Sequence, residues 1–333
     1  MYYSNEIVFR GHPDKVCDQI SAALLAECMR QDPATRAGIE VCGGKKVIFI
    51  TGEVTTAACI DVEAVAKRVL RDVGYSDEYE IINNIGVQSR DIAQGVDVGG
   101  AGDQGMMFGY ACDETEQKLP LAMVMLQKLA AAYDELRKND KRFLPDGKSQ
   151  ITGEYSDGRL VKIKDWTISY QNTEEDRAST DAVMRDLAGK IAGSYGIKID
   201  NFYINPTGKF LIGGFEGDAG LTGRKIVVDA YQSFSNVGGG CMNGKDPTKV
   251  DFSAAHKARQ IAMRYLGTNH TCEVQISYAI GMKEPLAIYI RTDAGDIEAP
   301  RELYEECTPA RIIEDLHMRE LDYEELAKFG HFR

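Results

Sequence analysis

The sequence lacks several features that mark common classes of protein. It has no run of about 18 apolar residues, so no membrane-spanning helix is predicted, and its first residues lack the basic and apolar regions of a signal peptide. Basic residues number only 39 against 51 acidic ones, which gives a net charge of −12. Such a charge repels nucleic acid and anionic membranes. These absences predict a cytoplasmic protein that binds neither nucleic acid nor a membrane.

Paired cysteine motifs are absent as well. None of the eight cysteines belongs to a Cys-x-x-Cys pair, so we expect reduced thiols rather than a zinc site or a disulfide framework. What the chain does have is ordinary globular composition, with 44% apolar and 27% charged residues. A chain of 333 residues with this composition is predicted to form two or three domains.

The hydrophobic pattern predicts helices and strands along the whole chain. Apolar residues spaced by four, from Val16 to Cys28, predict a first helix, and Gly43-Gly44 is predicted to form the turn between the first two strands. We predict helices over residues 14–30, 61–73, 121–137, 174–192 and 253–266, and strands over residues 39–42, 46–54, 106–109, 150–155, 160–170, 202–205, 226–228, 272–280 and 286–291.

The order of these elements repeats three times, and it differs from the strict alternation of a doubly wound parallel sheet. We therefore predict an α+β fold of three related α/β units, in which mixed sheets carry helices on one face and pseudo-threefold symmetry relates the units. The predicted units are residues 1–97, 98–213 and 214–333.

Two glycine-rich segments match nucleotide-binding patterns without the required context. Residues 100–105 fit G-x-G-x-x-G, but a strand and not a helix is predicted to follow, which disfavours a Rossmann site and an NAD-dependent oxidoreductase. Residues 239–245 fit the first seven positions of a P-loop, but Asp246 and Pro247 replace the Ser/Thr that would hold magnesium. Neither pattern supports its usual function.

A different anion site is indicated by local charge. Between Lys209 and Arg264 the chain has eight basic and five acidic residues, interleaved with glycines, and glycine lets the backbone approach a phosphate closely. The segment His12-Pro13-Asp14-Lys15 begins the first helix, where the dipole favours an anion. The alternatives are a flexible surface turn for the glycines, a solvated histidine for His12 and an ordinary N-cap for Asp14.

A series of blocks in a fixed order carries a more specific indication. They are GHPDK (11–15), CDQIS (17–21), GEVTT (52–56), GDQG (102–105) with MFGYA (107–111), PDGKSQ (145–150), NPTGKF (205–210), GDAGLTGRKI (217–226), GKDPTKVD (244–251) and SYAIG (277–281). With these blocks in this order, the chain resembles the S-adenosylmethionine synthetases (methionine adenosyltransferases) over nearly its whole length.

The resemblance implies a transferase that makes S-adenosylmethionine from ATP and L-methionine and then hydrolyses the released triphosphate to phosphate and pyrophosphate. The thioether of methionine is already nucleophilic, so its attack on C5′ of ATP needs alignment and stabilisation of the leaving triphosphate rather than a general base. The implied cofactors are Mg²⁺ and K⁺. The implied assembly is a homodimer or higher homo-oligomer whose sites lie at the subunit interface.

The resemblance also implies roles for individual residues, with His12 beside the 5′ oxygen as leaving-group stabiliser. The implied phosphate ligands are Lys148, Arg224, Lys225 and Lys245; the magnesium ligands are Asp14 and Asp251, and the potassium ligand is Glu40. The implied methionine contacts are Glu53, Gln88, Asp218 and Lys249, the apolar walls are Phe210 and Ile280, the ribose contacts are Asp103 and Asp146, and further substrate contacts are Lys209 and Cys241.

Departures from the family pattern carry their own expectations. Arg10 stands where the family has Glu, and this reversed charge is expected to attract the triphosphate. Phe252 and His256 replace Arg and Tyr. The segment between Gln88 and Gly102 is shorter than the family's mobile loop, which predicts weaker retention of methionine. An alternative function is a nucleotide-binding regulatory subunit that has lost turnover.

Overall fold

The computed structural model describes residues 1–87, 99–173 and 176–333, and this part of the chain forms twelve strands and ten α-helices. The strands are β1 (Tyr2–Val8), β2 (Arg36–Gly44), β3 (Val47–Thr55), β4 (Glu80–Gly86), β5 (Gly105–Cys112), β6 (Phe143–Ser156), β7 (Arg159–Asn172), β8 (Ile199–Ile204), β9 (Gly220–Leu221), β10 (Thr271–Tyr278), β11 (Ala287–Thr292) and β12 (Gly295–Ile297). The helices are α1 (Pro13–Gln31), α2 (Val62–Val73), α3 (Leu121–Asn139), α4 (Arg177–Ser194), α5 (Gly214–Gly217), α6 (Ile226–Asp229), α7 (Val250–Leu266), α8 (Arg301–Glu306), α9 (Pro309–Asp315) and α10 (Tyr323–Phe329). No helix within these ranges is long and apolar enough to cross a membrane.

The strands form three sheets of four strands each, in the orders β1-β6-β7-β8, β4-β3-β2-β9 and β12-β11-β10-β5. Two of the sheets are mixed, because β3 pairs with β4 and β7 with β8 in parallel while their other pairs are antiparallel. The prediction of an α+β fold with mixed sheets is confirmed. The pseudo-threefold symmetry stays a prediction.

Each sheet joins strands that are distant in the sequence. β1 pairs with β6, which places Val8 opposite Lys148. β5 pairs with β10, and β9 pairs with β2. The chain segments that follow these strands are therefore brought together, and the predicted site residues lie on those segments.

Helix α1 connects β1 to the second sheet and is buried along most of its length. The apolar stripe predicted for this helix is confirmed, since Val16, Ile20 and Leu24 are fully buried. His12 is the N-cap, and its Nδ1 accepts a hydrogen bond from the backbone N–H of Asp14 at 3.2 Å. A buried helix thus fixes the two residues at its start that the sequence predicts to be functional.

The predicted position of the first hairpin turn is wrong. The turn of the first hairpin lies at Lys45-Lys46 and not at the glycines, because Gly44 already pairs with Val47. Gly43 is needed inside the strand instead, since a Cβ there would lie 2.5 Å from the ring of Phe215.

The segment from Ile226 to Val228 was predicted as a strand and forms α6. Its β-branched residues favour a strand only where a neighbouring strand is available for pairing. Here the backbone closes on itself, with the N–H of Asp229 donating to the carbonyl of Lys225 at 2.8 Å.

Candidate active site

The predicted phosphate and metal residues near the N-terminus lie at the junction of β1 and α1. After β1 the chain runs beside the start of β6, with the N–H of Phe9 donating to Gly147 at 2.9 Å and that of Gly11 to Pro145 at 3.1 Å. A Cβ on Gly11 would lie 2.3 Å from the backbone of Pro145. This close approach puts the start of α1 next to the strand that carries Lys148.

Seven predicted residues lie around this junction, and we call them the His12 group. The group consists of His12, Asp14, Asp146, Lys148, Asp218, Arg224 and Lys225. The carboxylate of Asp14 lies at its centre and is almost fully buried. It accepts from the Leu221 N–H at 3.0 Å and from the Lys225 ammonium at 2.5 Å, with the Arg224 guanidinium 3.5 Å away.

His12 is neutral in this group. Burial, together with the positive charge of Lys225, lowers the pKa of His12 to about 4. Because Nδ1 already accepts from the Asp14 N–H, the single ring proton resides on Nε2. His12 therefore presents an N–H donor and not a fixed positive charge.

Asp146 lies on the β6 side of the group. Its carboxylate accepts from the Gly214 N–H at 2.8 Å. Burial raises the pKa of Asp146 to about 6, although that bond and the charge of Lys148 oppose the shift. Asp218 is exposed at the end of α5, so the two aspartates offer one buried and one accessible acceptor.

Seven other predicted residues line one cavity of about 410 Å³, and we call them the Lys245 group. They are Glu40, Glu53, Asp103, Lys245, Lys249, Asp251 and Ile280. The ammonium of Lys245 donates to Asp251 at 2.5 Å, and both side chains are about one-fifth exposed. Gly240 faces this pair, because a Cβ there would lie 2.1 Å from the Asp251 carboxyl.

The remaining predicted residues belong to neither group or fall outside the described ranges. Lys209 is exposed and lines a second cavity, of about 320 Å³, and the neighbouring Phe210 is half-buried. Cys241 is half-buried next to Gly223, and burial raises the pKa of its thiol. Gln88 and most of the shortened loop before Gly102 fall in residues 88–98, outside the described part of the chain.

The two predicted magnesium ligands each bind a predicted phosphate ligand. Asp14 pairs with Lys225, and Asp251 pairs with Lys245. No group of three or more His, Cys, Asp and Glu side chains within the described residues could hold a metal by itself. In nucleotide sites Mg²⁺ usually takes one or two carboxylates from the protein and completes its coordination shell with phosphate oxygens and water. The donor set found here fits that kind of site.

The buried network behind the His12 group was missed by sequence reasoning. Lys15, which follows Asp14 in the predicted anion-binding segment, is almost fully buried and donates to Asp229 at 2.7 Å, with Asp18 at 3.5 Å. Asp18 in turn accepts from the Gly223 N–H at 3.0 Å, and burial raises its pKa to about 7. This network fixes the backbone that carries Arg224. Asp14 and Asp18 are spaced so that both lie on one face of α1, and this spacing could have indicated the network.

Arg10 does not contribute positive charge to the phosphate residues, contrary to expectation. Its guanidinium is buried and donates to Asp134 at 3.0 Å, to Asp72 at 2.5 Å and to Gln19 at 2.8 Å. Burial disfavours the charged form of Asp134, but Arg10 and Arg137 outweigh it and hold the pKa of that carboxyl below its usual value. Arg10 therefore ties α1, α2 and α3 together.

We expect Arg10→Met to lower the free energy of unfolding by about 3 kcal/mol, because it leaves Asp134 buried with one partner fewer. Urea unfolding followed by circular dichroism measures this loss. Arg30→Met is the matched control, since Arg30 forms an exposed, solvent-screened pair with Glu27, and its loss is expected to change stability little. An Arg10→Met variant as stable as the parent would contradict the structural role.

Comparisons with known proteins agree with the geometry. The family models of the S-adenosylmethionine synthetase N-terminal, central and C-terminal domains match residues 1–93, 98–210 and 212–333. The chain is also 38% identical to an S-adenosylmethionine synthase of Clostridium tetani (strain Massachusetts / E88), in an alignment that covers 99% of this chain and 93% of that protein. The three matches account for nearly every residue and confirm the resemblance. The chain belongs to the S-adenosylmethionine synthetase family.

Proposed function

We propose that this protein makes S-adenosylmethionine from ATP and L-methionine and hydrolyses the released triphosphate. The observation that carries the proposal is the division of the predicted residues into the His12 group and the Lys245 group, each holding a carboxylate paired with a lysine. In the reaction a bond forms between the methionine sulfur and C5′, and the C5′–O bond breaks with its electrons on the triphosphate. A regulatory subunit without turnover has no support in the comparisons.

The His12 group supplies what the leaving triphosphate needs. The Nε2–H of His12 donates to the 5′ oxygen as negative charge accumulates there. His12 acts as a hydrogen-bond donor and not as a general base. Lys148, Arg224 and Lys225 neutralise the remaining phosphate charge. Asp146, whose carboxylate accepts from the Gly214 N–H and whose own N–H donates to the Gln171 side chain, accepts from a ribose hydroxyl.

The Lys245 group supplies recognition of methionine and more phosphate charge. Glu53 pairs with the ammonium of methionine and Lys249 with its carboxylate, while Lys245 contacts the triphosphate. Ile280 is exposed on the cavity wall and offers an apolar surface to the substrate. Lys209, Phe210 and Cys241 complete the proposed contacts from the neighbouring segments.

The family is metal-dependent, and we propose Mg²⁺ and K⁺ for this chain. Mg²⁺ held by Asp14, Asp251 and phosphate oxygens would offset the charge of the triphosphate. Glu40, exposed on β2 at the Lys245 cavity, is the proposed ligand of K⁺. The protein's own residues then have to orient ATP and methionine and exclude water between them.

An exposed apolar face supports a homodimer with shared sites. Leu221, Cys42, Phe49 and Ile82 form one row across β9, β2, β3 and β4 in the observed register, and all four are exposed. Leu221 adjoins the His12 group through its bond to Asp14. Glu40 of the Lys245 group lies two residues from Cys42, on the same face of β2. A second copy packed on this row would bring the His12 group of one subunit to the Lys245 group of the other.

We expect Phe49→Glu to yield a monomer with at least about tenfold lower activity, because a buried charge in an apolar interface is costly. Analytical ultracentrifugation at micromolar concentration gives the mass. Val161→Glu is the control, since Val161 is similarly exposed on β7 but lies outside the row. A monomeric parent protein with full activity would refute the shared site.

The test of the function is direct. Purified protein is incubated with ATP, L-methionine, Mg²⁺ and K⁺, and the sulfonium product, phosphate and pyrophosphate are quantified. The three products are expected in equal amounts. Omitting K⁺ or chelating Mg²⁺ is expected to lower the rate. Failure to form the sulfonium under complete conditions would overturn the proposal. Cell fractionation tests the cytoplasmic location that the sequence predicts.

A further inference from the structure

A carboxylate beside the Lys245 group, that of Asp246, has no role assigned by the sequence or by the comparisons. It is completely buried. One oxygen, Oδ2, accepts from the Ala37 N–H at 2.8 Å and from the Lys249 ammonium at 2.7 Å. The other, Oδ1, accepts from the Thr248 N–H at 2.8 Å. Both oxygens are thus engaged by three donors from two parts of the chain.

These bonds attach the 244–249 segment to the start of β2. Ile39 donates to the carbonyl of Gly244 at 3.0 Å, Gly38 bridges to Lys245, and Asp246 donates its own N–H to Ala37 at 3.2 Å. The Asp246 side chain adds the last bond of this series through the Ala37 N–H. Lys245 and Lys249 are therefore held on the same side of β2 that lines the 410 Å³ cavity.

The bond to Lys249 has a separate effect. A lysine side chain has several rotatable bonds, and its ammonium carries a considerable entropy cost when a ligand fixes it. A charge-assisted bond to a buried carboxylate fixes the ammonium before the ligand arrives, and the side chain is still 17% exposed to the cavity. Pre-positioning of this kind improves affinity for the group that the lysine binds.

We propose that Asp246 is a positioning residue for methionine, acting through Lys249 on the carboxylate of the substrate. The inference rests on the proposed function, in which Lys249 binds that carboxylate. Asp246 itself lies behind Lys249 and touches neither substrate. Its loss is expected to weaken methionine binding and to leave ATP binding nearly unchanged.

The test compares Asp246→Asn, Lys249→Gln and the double variant by steady-state kinetics. Asp246→Asn is expected to raise KM for methionine about tenfold, as for a hydrogen bond to a charged group, with KM for ATP and kcat changed less than about threefold. In the Lys249→Gln background the same change is expected to add almost nothing, because both variants remove one interaction. Asp32→Asn is the control, since Asp32 also accepts two backbone N–H bonds away from the site.

The outcomes separate the inference from the function. Equal effects of Asp246→Asn in the parent and in the Lys249→Gln background would overturn the inference. A parallel rise of KM for methionine and KM for ATP, with a lower melting temperature, would overturn it as well. If Lys249→Gln raises KM for methionine but Asp246→Asn does not, the inference alone fails. If Lys249→Gln leaves that KM unchanged, the proposed role of Lys249 fails and the inference with it. Should the Asn variant not fold, Asp246→Glu keeps the charge, displaces the ammonium and is expected to raise KM for methionine selectively.

Discussion

Asp14→Asn and Asp251→Asn are each expected to reduce turnover by at least about a thousandfold while the folded structure is retained. Each substitution removes a carboxylate charge that would hold Mg²⁺ against the triphosphate, and it also leaves Lys225 or Lys245 without its partner. The measurement is kcat at saturating Mg²⁺, with the melting temperature as a check of folding. Asp186→Asn is the control, because Asp186 forms an exposed pair with Lys190.

The same two variants also test whether the site is shared. When they are coexpressed and assemble at random, half of the dimers contain one chain of each kind. Such a dimer has one site with both substitutions and one site with neither, so about a quarter of the parental activity is expected to return. Near-parental activity of either single variant would contradict its metal assignment. Absence of any recovery in a verified heterodimer would contradict the division of the site between chains.

His12→Asn is expected to lower kcat by a factor of about 10² to 10³, equivalent to about 2.7 to 4 kcal/mol of transition-state stabilisation, with little change in KM for ATP. The reason is that the charge on the 5′ oxygen is greatest in the transition state. Because the pKa of His12 is lowered to about 4, we also expect no inflection from its titration in the pH profile of kcat between about pH 6 and 9.

Rapid-quench measurement of sulfonium formation isolates the step in which His12 acts. His317→Asn is the matched control, since the side chain of His317 is 76% exposed. Equal losses in ATP affinity and in the rate of sulfonium formation would mark His12 as a ground-state contact instead.

Local patterns in the sequence were sufficient for most of the long elements. The spacing of apolar residues located α1, α2, α3 and α7 to within a few residues, because these helices bury one stripe or more of their surface. β1 was not predicted, because one of its inward-facing positions is the polar residue Asn5, which is buried and interrupts the apolar alternation of Tyr2–Val8. Its pairing with β6 is non-local and leaves no pattern in either segment alone.

The site was predictable only in part, because it too depends on contacts between distant segments of the chain. The roles of residues such as His12 and Asp251 came from the ordered family blocks, whereas proximity within each group depends on the sheets. Arg10 shows the limit of reasoning from neighbours in sequence. It adjoins Gly11 and His12 in the chain, yet its side chain lies in the interior between α1, α2 and α3, where the unpredicted partners Asp72 and Asp134 are located.

The pairing of β1 with β6 has a consequence for synthesis on the ribosome. Val8 pairs with Lys148, so the nascent strand waits for about 140 further residues, or roughly 7 to 28 s at ordinary translation rates. Arg224 and Lys225 follow only when about two-thirds of the chain has been made. During this interval Ile7 and Val8, buried in the finished protein, lack their strand partner. Closure of so distant a contact is slow, so these apolar side chains stay unpaired in the early chain before either the His12 group or the Lys245 group can assemble.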